Sequence, residues 1–115
     1  MSVDGAQLIN SMLDELDEAK ACVEQMLPLG RTLARAEQLS RQEKHKRIAY
    51  ERAVKNTPVT IIQDVVKGYE DIAELACKRD LAQVEYDANK EAELLHKKSA
   101  DILRDIYVRE YGYTE

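Results

Sequence analysis

Helix-breaking residues are almost missing from this chain, and that restricts its fold more than any other feature. Pro occurs at positions 28 and 58 alone, and Gly at 5, 30, 68 and 112. Between them, apolar residues recur three and four positions apart, the spacing of one helix face. The commonest residues, Ala, Leu, Glu, Lys, Arg, Asp and Gln, are mostly good helix formers. Only 5% of the chain is aromatic, all of it Tyr, against 34% charged. A globule of 115 residues would want more bulky apolar anchors, whereas a rod of helices buries one stripe from each. The expected fold is all-α, an elongated antiparallel helical hairpin or bundle with coiled-coil-like packing. It would hold three long helices and one short connecting helix in a single domain, 1–115.

The first helix is expected over about 4–27, capped by Ser2 or Asp4, with Ile9, Met12, Leu13, Leu16, Ala19, Val23, Met26 and Leu27 on one face. Pro28 and Gly30 predict a break, with a kink in one continuous helix as the alternative. A second helix, 31–55, starts with an apolar side at Leu29, Leu33, Ala36 and Leu39 and loses it over 40–47, SRQEKHKR. A helix polar all round must be solvated, bridging or in contact with a partner. Thr57 before Pro58 reads as a hydroxyl cap with Pro opening a short helix, 58–67, that ends at Gly68. The β-branched run VTII has no second strand to pair with.

The last helix, 70–111, would span on the order of 60 Å. Its main stripe is Cys77, Leu81, Val84, Ala88, Ala92, Leu95, Ser99, Ile102 and Ile106, flanked by Ile72, Leu75, Ala76, Leu103 and Tyr107. It cannot bury that stripe alone. Preceding helices or a second chain must cover it, so a homodimer is expected. Gly112 ends the helix.

Residues 1–30 and 57–115 each carry −5, whereas residues 31–56 carry +5. That balance disfavours a non-specific nucleic-acid binder. The basic segment of Arg41, Lys44, His45, Lys46 and Arg47, with Arg52 and Lys55 beyond, is the leading candidate for partner binding. It would suit an acidic protein or nucleic-acid phosphates. Its bland reading is a solvated face, supported by Glu43–Arg47 and Glu51–Lys55 at four-residue spacing. Tyr107, Tyr111 and Tyr113 hold half the aromatics and are candidate contact anchors, or they pack on the first helix.

Catalytic motifs are missing: no phosphate loop, His-Glu-x-x-His or nucleophile elbow occurs. Glu93-Leu94-Leu95-His96 has one half of a di-metal bundle signature and no second copy. The carboxylates of Asp14-Glu15-Leu16-Asp17-Glu18 read as a solvated face. Neither enzyme activity nor a metal or cofactor is therefore expected. Cys22 and Cys77 read as buried free thiols of a reducing cytoplasm. No apolar run approaches a membrane span, and no leader pattern opens the chain.

The second half of the chain resembles small helical proteins encoded by phages and prophages of Gram-positive bacteria. The shared pattern is Thr-Pro-x-x-x-Ile-x-Asp, a spacer with Gly, Ile-Ala-x-Leu, Arg-Asp-x-Ala and a following Tyr. It falls here on Thr57, Pro58, Ile61 or Ile62, Asp64, Gly68, Ile72, Ala73, Leu75, Arg79, Asp80, Ala82 and Tyr86. The N-terminal helix lies outside it. The resemblance implies a phage protein of the bacterial host cytoplasm, encoded among early replication and recombination genes. The implied role is a non-enzymatic protein-interaction accessory. The alternative is an inhibitor of a bacterial immune effector (an anti-CRISPR or other anti-defence protein) whose acidic faces mimic nucleic acid. Direct nucleic-acid binding comes third.

Overall fold

The long helices fold back on each other because the link between them is tied down by one buried carboxylate and a small apolar core. A computed structural model describes residues 4–112. It contains α1 (Gly5–Ala53), α2 (Val59–Lys67) and α3 (Glu70–Tyr111), with no strand among the described residues. The all-α fold and its antiparallel pairing of long helices are as expected. The helix count is corrected, because α1 runs unbroken through Pro28. Two long helices and one short one replace three and one.

Packing divides the chain into two compact units. One holds residues 1–28 and 87–115, the other residues 29–86. In the first unit, the residues of α1 turned away from solvent are Gly5, Leu8, Met12, Glu15, Ala19, Cys22 and Met26. Their alternating spacings of three and four form a coiled-coil seam. Leu8, Ala19 and, from α3, Ala100 are its most buried members. Asp4 caps α1 as expected, accepting a bond from the Ala6 N–H at 3.0 Å. Ser2, the other candidate cap, lies outside the described residues.

The second unit has the densest core. Ile62 and Val66 of α2 pack on Ile72 of α3, with Ile48 and Tyr69 against them. Seam spacing continues along α1 through Leu33, Ala36, Ser40, Glu43 and Arg47. The polar stretch 40–47 is thus not solvated all round: Ser40 is buried, and Glu43, Lys44 and Arg47 are half-buried. It bridges within the unit.

The turn departs from expectation. Thr57 does not cap α2, which has Pro58 at its N-cap position and no side-chain cap. The Thr57 hydroxyl instead reaches back to Glu51 at 2.5 Å, and the Thr57 N–H donates to the Glu51 carbonyl at 3.0 Å. Asn56 takes a left-handed conformation, φ 52°, to make this reversal. Asn tolerates that region better than most residues. Gly68 ends α2 as expected, in right-handed geometry.

Candidate interaction surfaces

Two groups of residues, the basic segment and the tyrosines at 107, 111 and 113, were the candidates for partner binding. The basic segment is partly paired. Arg47 donates to Asp71 Oδ2 at 2.7 Å and lies 4.9 Å from the Tyr69 ring centroid. Lys46 pairs with Glu43 at 3.3 Å, and Arg41 with Glu37 at 3.9 Å. Lys44 is half-buried, while His45 and Arg52 are exposed. The guanidinium of Arg47, hydrogen-bonded to Asp71, holds that carboxyl below the usual carboxylate range, and its own pKa is raised in return. Arg47 is therefore committed to holding α1 against α3 within the unit.

Next to it lies a hub that the sequence did not reveal as one. Glu51 is 1% exposed. Its carboxylate accepts hydrogen bonds from the hydroxyls of Thr57 and Tyr69, with Lys55 Nζ 3.7 Å away. Lys55 also donates to Tyr69 Oη at 3.2 Å. These donors, Thr57 foremost, then Tyr69 and Lys55, keep Glu51 ionised below its ordinary range. The pairing with Lys55 was visible as a four-residue spacing. Tyr69, eighteen residues away, carried no local signal. The hub closes the α1–α2–α3 connection, and its groups are spent on each other.

Tyr107 and Tyr111 stack with ring centroids 5.4 Å apart. A β-carbon on Gly5 would sit 3.4 Å from the Tyr111 ring, so this pair packs against the start of α1. Tyr113 lies outside the described residues. His96 lies in the seam of the first unit, 2.6 Å from Glu15, and Glu93 pairs with Lys97 at 2.7 Å. Glu15 is thus turned inward, away from the acidic face it was assigned to. Among the described residues no cluster of His, Cys, Asp or Glu is placed to hold a metal. No described helix is long and apolar enough to cross a membrane. Both thiols are free, and Cys77 is exposed, contrary to the buried site expected for it.

The aliphatic rows were expected to be buried, and here the structure overturns the predicted faces. In the first unit the seam takes up Glu15, Asn89 and His96. Asn89 donates to the Cys22 carbonyl at 2.7 Å. Meanwhile Ile9, Leu13, Leu16, Val23 and Leu27 point outward, 37% to 62% exposed. The main stripe expected on α3 likewise faces solvent at Leu81, Val84, Leu95 and Ile102, 51% to 64% exposed. A shallow groove on α3 in the second unit is lined by Ile72, Ala73, Ala76, Cys77, Leu81 and Val84. The flanking row, with Ile72, Leu75, Leu103 and Tyr107, turns away from solvent instead. The buried positions are taken by small residues at Ala19, Ala82 and Ala100, and larger side chains are left outside.

The chain matches no protein-family model, no curated protein and no solved structure. The phage family inferred from the Thr-Pro pattern accordingly rests on those residues alone.

Proposed function

We propose that this chain is a non-enzymatic interaction protein whose outward α1 row docks a protein partner with an apolar, basic face. One observation carries the reading. Ile9, Leu13, Leu16, Val23 and Leu27 recur at heptad spacing and are exposed, whereas the buried row beside them includes Glu15. Heptad-spaced aliphatics in water are the signature of a helix awaiting another helix. Lys20 stands within the row and Asp17 and Glu24 flank it, all exposed; the two carboxylates suit a partner with basic residues beside its apolar stripe.

The resemblance proposes where such a partner is found: among phage replication and recombination proteins, in infected Gram-positive cells. Its alternative, an immune effector with a basic groove, draws on the same acidic flanks.

The test compares the chain with a Leu13→Glu, Val23→Glu variant as bait in lysate of infected host cells. Proteins held by the unaltered chain and lost by the variant, at equal helicity by circular dichroism, support docking through this row. Recombination proteins in that set favour the accessory role, and a defence nuclease favours the alternative. Identical capture by both baits overturns the reading.

A further inference from the structure

The solvent face of α1 in the second unit carries cations and no exposed carboxylate. Arg31, Arg35, Arg41, Lys46, Arg52 and Lys55 are exposed. The acids of residues 31–55 turn away: Glu37 and Glu43 are half-buried and Glu51 is buried. The basic segment read from the sequence thus divides. Lys44 and Arg47 turn inward, and Arg31 and Arg35, upstream of it, join the surface.

Arg31, Arg35, Gln38, Gln42, His45 and Arg52 recur three and four positions apart, with Ala49 completing the spacing. Two residues turn a helix by roughly 200°. The row therefore lies opposite Leu33, Ala36, Ser40 and Arg47, the side that meets α3. Arg31, Arg35, His45 and Arg52 have no ion-pair partner among the described residues, whereas Arg41 and Lys46 beside them pair with Glu37 at 3.9 Å and Glu43 at 3.3 Å.

From this we infer that the outward face of α1 over residues 31–52 binds duplex DNA through its phosphates. The row has no large apolar or aromatic side chain, so it lacks the anchors around which a protein interface forms. For the same reason it lacks the stacking platforms that hold single strands. Tyr50 lies off the row, with Lys55 Nζ 5.7 Å from its ring centroid. Arg31 and Arg52 stand about 32 Å apart by helical rise, close to one turn of B-form duplex at about 34 Å. Arginine forks fit phosphate oxygens, and Gln38 and Gln42 between them both donate and accept. The net charge of −5 is carried outside this face, and salt screens it beyond about 8 Å. The aliphatic row proposed for the protein partner is separate, since it belongs to the first unit.

The test is fluorescence anisotropy of a labelled duplex of about 20 base pairs titrated with the full chain. Three neutralised phosphates predict an affinity about fortyfold lower at about 200 mM salt than at about 50 mM. Arg31→Gln, Arg35→Gln, Arg52→Gln in one chain should abolish binding at the lower salt, with helicity kept. Lys90→Gln, Lys98→Gln, Arg109→Gln removes the same three charges from exposed positions of the first unit and should bind as the native chain does. No binding at the lower salt, no salt dependence, or equal loss in both variants overturns the inference. So does tighter binding of a single strand than of duplex. Tighter binding of polyglutamate would assign the face to an acidic protein and overturn it too.

Discussion

Glu51 was legible only as one partner of Lys55, yet it holds the turn. Its side chain is buried and ionised, and its folded-state pKa is depressed, first by Thr57 and then by Tyr69. A depressed carboxyl contributes stability above its unfolded value, about 4.3, and loses it as pH falls through the folded value. Asp71, depressed by Arg47, acts in the same sense. Glu51→Gln should therefore lower the urea midpoint near neutral pH, and its deficit should shrink at about pH 3. A deficit unchanged between the two would exclude this role. Gly30 presents the opposite case. It looked like a turn residue, but no described glycine has positive φ, and Gly30 lies inside α1. A β-carbon there would sit 3.5 Å from Tyr86 Cε2, ordinary contact. Gly30→Ala should raise stability by about 0.5–1 kcal/mol in urea melts, and a fall would show that the Tyr86 ring cannot accept the methyl.

At the scale of elements, the helices were largely readable and their interruptions less so. α2 and its stop at Gly68, and α3 from Glu70 to Tyr111, emerge close to their expected limits. The break at Pro28 does not occur. Pro removes one backbone donor and crowds the carbonyl four residues earlier, a cost of about 3 kcal/mol in a helix interior. Packing within each unit offsets it: Cys22 and Met26 before Pro28, and Leu29 and Leu33 after it, face away from solvent. Local propensity lost to tertiary contact. Pro28→Ala should thus raise the melting temperature without altering the circular dichroism spectrum. A lower melting temperature would mean that the proline's own packing outweighs its backbone penalty.

For the molecule as a whole, the exposed aliphatics divide between α1 and α3. The α1 row is the one proposed to dock a partner. Leu13→Glu, Val23→Glu should therefore abolish partner capture without changing helicity or the urea midpoint, because both side chains are exposed. Leu81→Glu, Leu95→Glu should still capture it. If both variants lose the partner, the α1 row does not act alone.

The sequence by itself determined that the chain is helical and where α2 and α3 lie, but not that α1 runs on through Pro28. Periodicity, Pro58 and Gly68 act over a few residues, and such signals are written locally. Which stripe turns inward was decided by tertiary structure alone. α1 and α3 each carry two rows at near-helical spacing, and periodicity cannot rank them. Contacts between the helices can: Ala19, Ala82 and Ala100 are buried, and Glu15, Asn89 and Arg47 find partners across the seam. The larger aliphatics are left on the outside, where the row proposed for docking lies.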